Sequence, residues 1–387
     1  MMSNARQPVW DIFCTVIDNF GDIGVCWRLA RQLANEYALT VRLWVDDLNA
    51  FQRICSDINP QSATQSISGV EVRAWSLEFN ETTPGDVVIE AFACHLPEPF
   101  VAAMAASKKR PVWINLDYLS AESWVAGCHA LPSPHPRLPL TKYFFFPGFD
   151  EHTGGLLREA DLQERKTAFC TSPEQQADFW RMLLVPPPAA DRLKVSLFAY
   201  ENPALNPLLE IWSRGTTPVC CLAPETRTLP AIEAFAGRRL RAGDVVQRGN
   251  LEILILPFVS QTDYDKLLWL CDMNFVRGED SFVRAQWAAK PMLWHIYPQD
   301  EEAHQIKLSA FLDIYCLGLS GATEKAIRDL FQLWNSTQGG EQLMSEVWHQ
   351  WARSLPQIRQ HSEDWANNLL KQEDLCSSLV RFCRSKL

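Results

Sequence analysis

The run from Arg277 to Gln286 joins an anion-binding device to two acids that such a device does not by itself call for. A short apolar strand, Met273 to Val276, leads into it, and an amphipathic helix follows with Ser281 placed to serve as N-cap. The free backbone N–H groups of that helix start and the Arg277 guanidinium are expected to converge on one spot, which suits a phosphate. Glu279 and Asp280 stand beside it. Two carboxylates next to a diphosphate raise the energy unless they bind sugar hydroxyls, a ribose or a cationic second substrate. The combination points to a nucleotide-sugar site with a positively charged acceptor. The plainer alternative is an ordinary helix start, in which both acids simply favour the positive helix end.

A second acidic loop, Asp18 to Gly24, follows the first strand and precedes a helix, where a dinucleotide-binding fold carries its glycine fingerprint. That fingerprint is absent. Asp46 lies about twenty residues on, as a ribose-binding acid does, but two aspartates in the glycine loop make a nicotinamide site costly. Asp18 and Asp22 could each merely cap the helix and brace the loop; the two together in one strand-to-helix loop favour function. Phe198 and Tyr200 end one strand of the second half, and Phe258 to Gln261 end another. Both ends share a sheet edge with Arg277, so Tyr200 and Phe258 can stack on a base. His295 reads as a polar residue at a strand end rather than an acid or base, and Cys220-Cys221 as strand interior.

The elements that must position these residues alternate strand and helix, the pattern of a parallel sheet with helices on both faces. Trp10–Ile17, Val41–Val45, Asp86–Ile89, Val112–Leu116 and a segment near Tyr143–Gly148 are the expected strands of the first half, with a helix over Val25–Glu36. Pro186-Pro187-Pro188 marks a stiff connection. Leu193–Tyr200, Pro218–Leu222, Leu251–Phe258, Met273–Val276 and Pro291–Ile296 are the strands of the second half, and the chain turns helical from Ala322. The expected domains are 1–170 on the acceptor side, a linker 171–190, a nucleotide-sugar domain 191–362, and helices 363–387 that pack back on the first domain. Function is expected at the carboxyl ends of the strands.

At 387 residues the chain fits two domains, and 47% hydrophobic with 21% charged residues describes a folded protein. A net charge of −10 argues against general affinity for nucleic acid and favours a basic protein partner. No signal peptide or apolar membrane span is evident, so a cytoplasmic location is expected. Twelve cysteines without a Cys-x-x-Cys pair read as reduced core residues, and eight histidines in no cluster give little support to a metal.

Asp18–Ala30, Arg277–Gln286 and Trp294–Asp300, with Val87–Cys94 and Gly154–Glu159, resemble the EarP family, bacterial arginine rhamnosyltransferases that modify translation elongation factor P. The likeness extends over essentially the whole chain. It implies a GT-B fold, with two Rossmann-like αβα domains facing across a cleft. It also implies transfer of L-rhamnose from dTDP-β-L-rhamnose to an arginine of elongation factor P, with inversion and without metal or other cofactor. By position, the family's catalytic acids fall on Asp18, Asp22 and Glu279. Its sugar-nucleotide contacts fall on Phe198, Tyr200, Phe258, Gln261, Arg277, Asp280 and Ser281. The competing expectations are a GT-B enzyme acting on a lipid or cell-wall acceptor, which would want a basic or apolar acceptor face, and a binding module that has lost its chemistry, which should have lost the acids first.

Overall fold

The computed structural model describes residues 7–17, 20–76, 83–299, 303–319, 321–336 and 340–387. The chain forms two compact units, Met1–Ala160 with Lys371–Leu387, and Asp161–Leu370. These differ from the expected boundaries at 170, 190 and 362. The stretch expected to be a linker carries helix Pro173–Met182, started by the Ser172 hydroxyl accepting the Gln175 N–H at 3.2 Å. Its composition is that of a capped helix, and only the three prolines after it are extended chain.

In the described residues the first unit holds an eight-stranded sheet: β1 (Val9–Cys14), β2 (Thr40–Val45), β3 (Thr64–Ile67), β4 (Val70–Ala74), β5 (Val87–Ala91), β6 (Val112–Leu116), β7 (Pro132–Pro134) and β8 (Thr141–Phe145). Their order is β3-β4-β2-β1-β5-β6-β8-β7. All pairs are parallel except β3 with β4 and β7 with β8. Strands covered on both faces need continuous apolar runs, and β5 is buried throughout. Two acids, Asp11 and Glu90, sit in this interior. Asp11 is fully buried because Arg42 donates to both its oxygens at 2.6 Å, with the Trp44 indole at 2.9 Å and the Gly85 N–H at 2.7 Å as further donors.

Helix Gly21–Tyr37 follows β1, and its buried Arg28 donates two 2.8 Å bonds to Glu159, which fixes the segment after Gly154. The last helix, Leu375–Arg384, belongs to this unit: Asp374 caps it, Phe382 packs on Tyr143 and Phe145, and Leu375 donates its N–H to the Leu156 carbonyl at 3.0 Å. Gly155 has φ +76°, and a Cβ there would meet the Glu373 carbonyl oxygen at 2.3 Å. Only glycine allows that approach.

In the second unit the described strands are β9 (Leu193–Leu197), β10 (Val219–Pro224), β11 (Val245–Arg248), β12 (Leu251–Leu256), β13 (Met273–Arg277) and β14 (Met292–His295), ordered β11-β12-β10-β9-β13-β14. Only β11 runs antiparallel to its neighbour. Each sheet grows outward in both directions from its first strand. The order therefore reverses between β1 and β5 in one unit and between β9 and β13 in the other. Crevices beyond the carboxyl ends at such reversals are where open α/β sheets bind ligands.

Candidate active site

In the second unit the reversal brings the ends of β9 and β13 together, and five sequence-selected residues follow directly. Arg277 closes β13 and is only 6% exposed. Its guanidinium lies 4.4 Å from the Phe198 ring centre and 4.7 Å from that of Tyr200, both just after β9. The planar cation thus packs over two aromatic rings, and its Nη1 donates to the Ala199 carbonyl at 3.4 Å.

The chain then turns at Gly278, φ +60°, a left-handed position that glycine takes without strain. Trp294 holds the turn by donating its indole N–H to the Gly278 carbonyl at 2.8 Å. The helix that follows is Asp280–Ala288, with Glu279 at the N-cap position and no side-chain capping bond. Ser281 is therefore not the cap expected from the sequence. The turn carries the Arg277 backbone back over the first helical turn, so the Ser281 hydroxyl accepts the Arg277 N–H at 3.0 Å and donates to the Arg277 carbonyl. At the far end of this helix, Lys166 donates to the carbonyls of Trp287 at 3.1 Å and Ala288 at 2.8 Å, adding a cation at the negative end. Burial lowers the Lys166 ammonium below its ordinary value, with Lys290 adding to the effect.

Asp280 is held from behind. Gln261 Nε2 and Arg284 Nε both donate to its Oδ2 at 2.9 Å, while Arg284 Nη1 donates to Asp265 Oδ1 at 2.8 Å. Arg284 is 2% exposed, so the network is a buried one. Phe258 stands beyond β12 with 37% of its surface exposed. Tyr297, not singled out from the sequence, is 41% exposed and meets Tyr200 edge-on at 5.5 Å.

In the first unit, Asp22 lies in the opening turn of helix Gly21–Tyr37, buried. Its Oδ2 accepts the Ile17 N–H at 2.9 Å, and its Oδ1 accepts the Tyr118 hydroxyl at 3.2 Å. Tyr118 stacks on Phe92 at 4.5 Å. Phe92, Ala93 and His95 all take φ near +50° just after β5, so the backbone beside the reversal carries strain. Asp46 accepts the Val16 N–H at 2.9 Å and braces the same loop, the bracing role rather than the ribose role its spacing suggested. Asp18 lies outside the described residues. Glu279 belongs to the second unit and Asp22 to the first.

Among the described residues, no three His, Cys, Asp or Glu side chains are grouped to hold a metal ion, and no helix is long and apolar enough to cross a membrane. The model of the family described as Elongation-Factor P (EF-P) rhamnosyltransferase EarP matches residues 10–384. The chain belongs to the EarP family. As an EarP member it is a protein-arginine rhamnosyltransferase. It is 50% identical over 385 residues to the protein-arginine rhamnosyltransferase of Pseudomonas putida, covering 98% of this chain and all of that one. A solved structure described as the structural basis for EarP-mediated arginine glycosylation of translation elongation factor EF-P is 37% identical, with TM-score 0.70 over 98% of this chain and 100% of that one. MurG of Acinetobacter baumannii, 11% identical with TM-score 0.50 over 98% of this chain and all of that one, shares the fold alone. The EarP chain therefore has the GT-B architecture.

Proposed function

We propose that this enzyme moves L-rhamnose from dTDP-β-L-rhamnose to one arginine of translation elongation factor P, in the cytoplasm, with inversion and without a metal. The observation that carries the reading is Arg277, packed over the rings of Phe198 and Tyr200 beside a helix start without a side-chain cap at the sheet reversal. A diphosphate seated there meets a guanidinium and the backbone N–H groups of a helix start together. The helix end contributes about 0.3 to 2 kcal/mol and a charge-assisted bond from Arg277 about 1.5 to 3 kcal/mol toward the departing phosphate. These take the place a metal ion holds elsewhere. Phe258 stacks on the thymine, Gln261 and Ser281 keep Asp280 and Arg277 in place, and Asp280 binds a hydroxyl of the sugar nucleotide.

The acceptor sets the harder problem. Making an arginine neutral at pH 7 costs roughly 7 to 9 kcal/mol, given a pKa of about 12.5 to 13.8. In the proposed step Asp22 holds the guanidinium by paired hydrogen bonds and accepts its proton only as the new C–N bond forms. The anomeric C–O bond breaks on the opposite face, its electrons leave with the diphosphate, and the product remains a cationic, rhamnosylated guanidinium. By position in the family, Asp18 and Glu279 are the further acids assigned to the reaction.

The test is mass spectrometry of purified elongation factor P after incubation with this protein and dTDP-rhamnose. One added deoxyhexose on an arginine, unchanged by a chelator, is the expected result. No mass increase, or addition only to lipid precursors, sinks the reading.

A further inference from the structure

His295 ends β14 and is the register partner of Arg277 in β13, so the two side chains leave the sheet on the same face. They meet on one ring. The His295 imidazole contacts Tyr200 edge-on at 5.2 Å, and the Arg277 guanidinium lies 4.7 Å over that same ring. Trp334 closes the other side at 5.9 Å. The side chain is 7% exposed, and its Nδ1 is buried with no hydrogen-bond partner among the described residues. A buried polar atom without a partner loses its hydration without repayment, so it calls for a partner that the described residues do not supply. Burial first, then the charges of Arg277 and His304, pushes the imidazole down to about 4, so at neutral pH it carries one N–H and one lone pair.

We propose that His295 is a further sugar-nucleotide-binding residue, whose Nδ1–H donates a hydrogen bond to a diphosphate oxygen held by Arg277. This role rests on the diphosphate reading of Arg277 given above. A neutral donor suits the position. It completes the anion's coordination beside an existing cation without a second charge that would slow release of the nucleotide product.

Asparagine places its amide nitrogen where Nδ1 stands, and glutamine places its own near Nε2, so the two variants separate this bond from packing. Calorimetric titration with dTDP and with dTMP, which lacks the β-phosphate, supplies the readout. H295Q is expected to weaken dTDP by about tenfold, the worth of ~1.4 kcal/mol, and dTMP by less than about twofold. H295N is expected to stay within about threefold of wild type for dTDP. Equal losses for both nucleotides in H295Q, or dTDP affinity unchanged in it, overturn the role while leaving the nucleotide reading intact. A wild-type protein that binds no dTDP overturns both.

Discussion

The carboxylate of Asp22 accepts the Ile17 N–H on one oxygen and the Tyr118 hydroxyl on the other, so a single buried acid fastens the loop after β1 to the segment after β6. D22N retains an oxygen for the Ile17 N–H and is expected to melt close to wild type. Loss of the basic oxygen should cut rhamnosylation of elongation factor P by at least about 100-fold, with dTDP affinity nearly unchanged. Turnover at the wild-type rate, read by intact-protein mass spectrometry, removes Asp22 from the chemistry.

Arg277 acts as a plane as much as a charge, since its guanidinium lies over the rings of both Phe198 and Tyr200. Lysine keeps the charge but not the fork or the stacking surface. R277K is therefore expected to weaken dTDP at least about tenfold, the sum of a lost stacking contact and a lost second hydrogen bond. Calorimetry showing equal affinity contradicts the role assigned to the guanidinium.

Arg284 joins Asp280 to Asp265 while almost fully buried. Removing one partner of a buried network strands the other charges, at a cost of about 3 to 5 kcal/mol. R284M should lower the urea midpoint accordingly and also weaken the sugar-nucleotide affinity, because Asp280 loses its brace. The exposed Arg214–Glu341 pair offers the contrast. R214M should change stability by less than about 1 kcal/mol.

His295 titrates at about 4 in the folded protein because burial and then Arg277 disfavour its charged form, against about 6.5 in an unfolded chain. Between those values the unfolded chain binds the extra proton, so stability is present above 6.5 and is lost as the pH falls toward 4. Burial lowers His129 and His361 in the same direction. H295N is expected to flatten the acid limb of the unfolding free energy by up to about 3 kcal/mol relative to wild type. Parallel curves for the two proteins show that His295 contributes nothing to that limb.

The parallel strands were legible because burial on both faces demands apolar runs such as Val87–Ile89 and Ile253–Leu256. The β3–β4 hairpin was not, since Thr64–Ile67 is largely polar and its turn signal is only Ser68-Gly69, both at positive φ. Arg277, Gln261 and Asp280 stand out in the sequence as a candidate site, yet the partners behind them do not. Arg284 pairs with Asp280 at helical spacing, but Asp265 reaches it from another helix. His295 was passed over as a strand-end residue because its importance lies in register with Arg277, and register between strands is a tertiary fact. Ser281 was misassigned because a serine before an apolar helical run looks like a cap wherever the turn in fact falls.

The helix Leu375–Arg384 completes the first unit, yet it follows the whole of the second in the chain. A ribosome extending the polypeptide at roughly 5–20 residues per second spends about 10 to 40 s on the intervening unit. Throughout that interval the aromatic surface of Tyr143 and Phe145 awaits Phe382, and the glycine seat at 155 awaits the Glu373 backbone. The first unit can close only once residues 371–387 have been made. The residues of the unit that bears Asp22 are therefore not all made until those of the other unit are.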